Sequence, residues 1–192
     1  MQNRATQGEK TATGQADDSQ AFALAVAPLA AAVANYCDHV EHNEPADPTW
    51  VTDAGEKLGT VAFEHAAAVG RNLVQLYAAR LASIEARNVL ADGSGFDGRE
   101  AALAASTWRE LQLVQSAHDR AYHPDVIGMS RLDQVRHYAF HLAKIVGAFA
   151  EKPDGNELLD RRLPDALLFA IKLRTVMGAR LPDTPLPLSV GS

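Results

Sequence analysis

Cysteine is almost absent from this chain, with Cys37 the single one in 192 residues. An intrachain disulfide, a CxxC metal knuckle and a dithiol redox pair are therefore excluded, and a reducing cytoplasm is the expected setting. Positive charge is also scarce. Lys and Arg number 18 against 24 Asp and Glu, a formal net charge of -6, so no broad nucleic-acid surface is expected, because neutralising phosphates needs clustered cations. Apolar runs are short. The Ala-rich stretch 21–36 is interrupted by Pro28 and followed by Asp38, His39 and Glu41, too short and small-sided for a membrane span. The opening MQNRATQGEKTATGQADDSQ places acids ahead of any apolar run, the wrong order for a secretory signal. β-type alternation is missing at any useful length, which leaves an all-α reading.

A hydrophobic content of 47% suits one globular domain with a real core. Residues 1–18 mix Gly, Thr, Gln and Asp without apolar periodicity, so a disordered arm is expected there. The Pro-rich tail 181–192 should also lack regular structure, with Leu186 and Leu188 available to pack. Between them, 19–180 reads as a single helical domain. Apolar spacing predicts helices from about Ser19 to His42 and from Trp50 to Leu90, the second broken near Gly55 or Gly59. A turn-rich loop, ADGSGFDG at 91–98, precedes a helix from Arg99 to Tyr122, stopped by His123 and Pro124. Ser130 is placed to N-cap a helix to about Glu151, with Asp133 completing an approximate capping box. After KPDGN a last helix should reach about Arg180, with Pro164 near its start. The sum is an antiparallel bundle of about five helices. Such short layers bury more surface when paired, so a homo-oligomer is expected.

Four of the seven histidines fall between His118 and Lys144, in HDRAYHPD (118–125) and HYAFHLAK (137–144). At helical spacing Asp133, His137, His141 and Lys144 share one ridge about 80° wide, opposite Val135, Ala139, Leu142, Val146 and Phe149. That ridge should face away from the helix's main packing seam, toward solvent, a cleft roofed by another helix, or a subunit interface. HxxxH can hold a metal, whereas Lys144 repels a divalent cation and favours an anion such as phosphate. His118, Arg120 and His123 sit at a helix end, where they either converge on a site or complement the helix dipole. No Glu-x-x-His repeat of a di-iron bundle is present. His65 on the long helix with His137 and His141 on a later one is similar to the three-histidine layout of DinB-like bundles, which implies a Zn, Ni or Fe(II) site. Arg136 and His141 match the loose Rx4–6H spacing of HEPN-type ribonucleases.

From Leu111 onward the order LQLVQSAHDRAYHP, RLDQVRHYAFHLAKIVGAFAE and RRLPDALLFAIKLRTVMGARL resembles the MazG-type all-α nucleoside triphosphate pyrophosphohydrolases. The resemblance implies a helical fold and a nucleotide ligand, with Mg²⁺ held against the phosphates by an ExxE pair and an ExxD pair; for this chain the expected cofactor is a divalent metal, Mg, Mn or Zn. The ExxE positions fall at Ile145 and Ala148 and the ExxD glutamate at Arg162; only Asp165 is kept. Glu157 and Asp160 spell ExxD earlier, without an ExxE partner. The expectation is a divergent pyrophosphohydrolase or a nucleotide and phosphate binder that has lost hydrolysis, with no catalytic residue assigned. Its ligand or phosphate-binding candidates are His118, Asp119, His123, Lys144, Arg162 and Asp165, with Arg161 nearby and His65, His137 and His141 for a metal. A non-enzymatic interaction or regulatory module is the alternative, and the three-histidine metal bundle a third.

Overall fold

The computed structural model describes residues 5–88, 96–151 and 156–187. They form eight helices: α1 (Ala5–Glu41), α2 (Thr49–Ala68), α3 (Leu73–Glu85), α4 (Gly98–Ala104), α5 (Trp108–Tyr122), α6 (Pro124–Ile127), α7 (Arg131–Glu151) and α8 (Asn156–Val176). Among the described residues there is no strand, only an isolated bridge between Thr107 and Pro185. The all-α reading holds, with eight helices among the described residues rather than about five.

α8 is the central rod. From Leu163 to Leu173 every residue is buried, and a helix apolar all round must be enclosed by others. α2, α3, α5 and α7 surround it, while α1 lies across α2 and α7. α1 is apolar enough between Asp18 and Glu41 to pass for a membrane span by length and composition. Its apolar stripe, Phe22, Val26, Val33, Tyr36 and Cys37, is instead buried in the core.

Four expectations about boundaries are corrected. α1 begins at Ala5 rather than Ser19, because a helix already nucleated by 19–41 propagates cheaply through Ala, Gln, Glu and Lys. The long second helix breaks at Gly70, which has φ of +66°, and not at Gly55 or Gly59. Those two are buried contacts with other elements: a Cβ at Gly55 would lie 2.9 Å from Arg174 Cγ, and one at Gly59 2.9 Å from the Trp108 ring. The helix expected over Arg99–Tyr122 is two, since Thr107 and Glu110 form a capping box that starts α5 afresh. That Thr-x-x-Glu signature is readable in the sequence. α8 ends at Val176, ahead of Gly178 with φ of +80°. Pro164 lies inside α8, well past its start at Asn156, so the polar NELLD segment extends the helix and the ring forfeits one ladder bond.

Other features agree. α5 stops at Tyr122 and Pro124 opens α6. The Ser130 hydroxyl accepts from Asp133 N at 3.2 Å and donates to its carboxylate at 2.6 Å. The tail does pack. Trp108 N donates to Thr184 O at 3.3 Å, Arg109 N to Pro182 O at 3.0 Å and Leu186 N to Ser106 O at 2.9 Å, which caps the start of α5 with tail carbonyls. Leu181 and Leu186 are buried. Leu188 and most of the 91–98 and KPDGN segments lie outside the described residues.

Candidate functional site

The last turns of α5 carry an unusual load of buried polar groups. Gln115, His118 and Asp119 occupy the inward face, because the helix repeat puts 111, 115, 118 and 119 on one side with Leu111 and Val114. Tyr77 on α3 donates to Gln115 Oε1 at 2.7 Å, and Gln115 Nε2 donates to Asp119 Oδ1 at 2.8 Å. Lys172 of α8 lies 2.7 Å from the same Asp119 oxygen, with its ammonium over the Tyr138 and Phe169 rings. His118 is fully buried, and among the described residues neither ring nitrogen has a hydrogen-bond partner. Its Nε2 stops 3.6 Å from Glu85 Oε1 and its Nδ1 4.0 Å from Asp119 Oδ1. Leaving such a buried group unpaired costs about 1–3 kcal/mol. His123 follows as the helix C-cap, with φ of -137° and ψ of 45°, and its ring centroid lies 6.0 Å from that of His118.

Beside this turn is a cavity of about 180 Å³ between α3, α7, α8 and the end of α5, lined by Arg80, Arg87, His123, His137, His141, Asp165 and Lys172 with apolar neighbours. Three cations thus face one carboxylate. That carboxylate is already engaged: Arg80 Nε donates to Asp165 Oδ1 at 2.6 Å and Arg162 Nη1 to Oδ2 at 3.2 Å. Lys172 also lines a second cleft of about 380 Å³, on its other side, with Arg120, Arg131, Gln134 and Tyr138. A larger opening of about 550 Å³, between α1 and α2, is lined by Asp53, Glu56 and Lys57 with aliphatic neighbours and brings no comparable cluster together.

The imidazoles of the smaller cavity are held neutral at pH 7. Burial, the neighbouring His137 and the Lys144 charge push His141 down to about 4. His137 is lowered by burial and then by Lys172 and Lys144. His123 is lowered by burial and Lys172, against an opposing pull from Asp119. Burial alone would raise the Asp119 carboxyl, but the His118 ring, Lys172 and Gln115 together outweigh it and hold the group below its ordinary range. The pocket is therefore cationic through Arg and Lys, with neutral imidazoles able to donate or accept.

His137 and His141 do not face away from the packing seam. α7 is sandwiched between α1 and α8, so the ridge is roofed by α8 and His141 stacks on Phe169 with centroids 4.6 Å apart. Of the same ridge, Lys144 is exposed and Asp133 serves Ser130 and Arg136. His65 does not join them. It packs edge-on against Phe22, with Nδ1 3.1 Å from Val61 O, and His123 stands in the cavity wall in its place. Arg136 turns to Glu41 and Asp133, apart from His141. Asp165 and Arg162 are tied to each other, and Arg161 is exposed. Ile145, at an expected ExxE position, is in the core, so among the described residues no four-carboxylate cluster surrounds Asp165. Asp160 is paired with Arg71 at 2.6 Å, and the side chain of Glu157 lies outside the described residues.

Sequence reasoning missed Lys172, Arg80, Arg87, Gln115 and Glu85. Lys172 had a signal: it is the lone charge in ALLFAIKL, a stretch otherwise fit for full burial, where an ammonium needs a dedicated partner. Arg80 and Glu85 had none, since their partners are distant in the chain.

Fold and site together define an all-α bundle with an enclosed, cationic, histidine-lined cavity against its central helix. No family model, curated protein or solved structure matches this chain.

Proposed function

We propose that this chain is a MazG-like helical protein that binds a phosphate-bearing small molecule, a nucleotide foremost, without the metal-dependent hydrolysis of that family. One observation carries the reading: Arg80, Arg87 and Lys172 converge on a small cavity whose one carboxylate is already neutralised. In a chain of net charge -6, three cations bordering one small cavity, Arg80 paired with Asp165, Lys172 with Asp119 and Arg87 exposed at its rim, are a specific arrangement. Arg supplies planar donor pairs for phosphate oxygens, and Lys172 a point charge.

The cavity, about 180 Å³, is smaller than the roughly 300 Å³ at which drug-sized sites begin. It suits a phosphate or diphosphate group. Lys172 borders the 380 Å³ cleft as well, so the remainder of a ligand anchored at Lys172 extends toward Tyr138, Gln134 and Arg131. Binding rather than turnover follows from Ile145, Ala148 and Arg162 standing where the family's carboxylates belong. A cytoplasmic setting, where nucleotides are abundant and the buried Cys37 stays a free thiol, accompanies the reading.

The test is calorimetric titration of the metal-free full chain with pyrophosphate, nucleoside mono-, di- and triphosphates, and uncharged nucleosides. Phosphate-dependent binding is expected, weakened at least about tenfold by Arg87→Glu, which sits at an exposed helix end and should leave the fold intact. If no phosphorylated compound binds, or Arg87→Glu binds equally well, the reading is overturned.

A further inference from the structure

We propose that the end of α5 is a binding site for one divalent transition metal ion, ligated by His118, Asp119 and His123, with Glu85 orienting His118. A ligand atom from each of the three lies within 4.8 Å of the others, so one ion can reach all of them after small side-chain adjustments. Two nitrogens and one carboxylate oxygen with an open position suit Zn(II) or a similar ion.

A second, independent observation points to a ligand. His118 is completely buried, and among the described residues both ring nitrogens lack a hydrogen-bond partner. The rest of its surroundings are arranged as for a metal-bound imidazole. Nδ1 is the nitrogen on the Asp119 side at 4.0 Å, while Nε2 looks at Glu85 Oε1 at 3.6 Å, the carboxylate–histidine–metal order in which an outer carboxylate selects the tautomer. Glu85 is itself held by Gly98 N, which donates to it at 2.9 Å. A Cβ on Gly98 would come within 2.5 Å of that carboxylate and 3.2 Å of the His118 ring, so only glycine allows the approach. Lys172 and Gln115 both use Asp119 Oδ1, which leaves Oδ2 for an ion. This site shares only the His123 and Lys172 wall with the anion cavity, and it stands on separate geometry.

The experiment is titration of the untagged full chain, stripped with chelator, with Co(II), followed by visible absorption and by competition with Zn(II). One equivalent should bind with a d–d spectrum that Zn(II) abolishes. His123→Ala should abolish the spectrum, Glu85→Gln should weaken binding roughly 10- to 100-fold, and His137→Ala should change nothing. His118→Gln serves as a further ligand variant if circular dichroism shows it folded; if not, His123→Ala, at a half-buried helix end, decides. No uptake by the parent chain, uptake unchanged in His123→Ala, or loss in His137→Ala instead would each overturn the assignment. A negative result here leaves pyrophosphate binding by metal-free protein as a separate outcome.

Discussion

At the start of α5 the buried amide of Gln112 meets four partners. Arg109 Nη1 and Leu181 N donate to its oxygen at 2.6 and 3.0 Å, while its nitrogen donates to Thr175 Oγ1 at 3.0 Å and Ala179 O at 2.8 Å. Near the other end of the helix His118, equally enclosed, meets none among the described residues. The same helix thus contains a saturated polar network and an open one. The first welds the tail to the bundle and leaves nothing for a ligand to do. The second keeps donor and acceptor capacity that folding itself does not use, and native proteins retain such capacity chiefly where something else binds.

The comparison can be broken most forcefully at the Lys172–Asp119 ion pair beside His118. Lys172→Met leaves the Asp119 carboxylate buried without its cation and should cost about 3–5 kcal/mol in urea unfolding; a loss under 1 kcal/mol would mean that water already reaches the pair. Gln112→Ala strips the saturated network and should cost about 2–3 kcal/mol, mostly from the orphaned Leu181 N–H and Ala179 carbonyl. A smaller effect follows pH. His141 titrates at about 4 in the folded chain and near 6.5 when unfolded, so below that value the unfolded chain takes up a proton that the folded one refuses. Stability is therefore full above about pH 6.5 and falls as pH drops toward 4, by roughly 1–2 kcal/mol after discounting for the ring's partial exposure. His141→Gln should flatten that slope, and an unchanged slope would assign it to other groups; Asp119, lowered from 3.8, adds its own loss only below that. The smallest effect has the opposite sign. In metal-free buffer His118→Leu removes two unpaired nitrogens and should be neutral or up to about 1 kcal/mol stabilising. A destabilisation as large as that of Gln112→Ala would show His118 to be as fully satisfied as Gln112, and the contrast between the two ends would collapse.

Much of the fold was legible because it is local. The Ser130 cap, the stop at His123–Pro124 and the apolar run of α8 depend on residues within a few turns of each other, and all appear where expected. The break in the second helix was misjudged for a reason of distance. Gly55 and Gly59 look like helix breakers in isolation, yet they are mid-helix contact points that admit Arg174 and Trp108, each far along the chain. Histidine ridge and cavity divide in the same way. Spacing placed His137 and His141 on one face, but the roof supplied by Phe169 and Lys172 was invisible to it.

Composition and spacing by themselves determined the all-α class, the exclusion of an intrachain disulfide within these residues and the clustering of histidines, since these follow from residue identity and a fixed helical repeat. Tertiary structure alone decided which of those histidines share a wall, that Asp165 is neutralised by Arg80, and that His118 is sealed in with no partner among the described residues. Each of those outcomes depends on which helices pack together, and burial then turns an ordinary polar side chain into one whose pairing governs stability and binding.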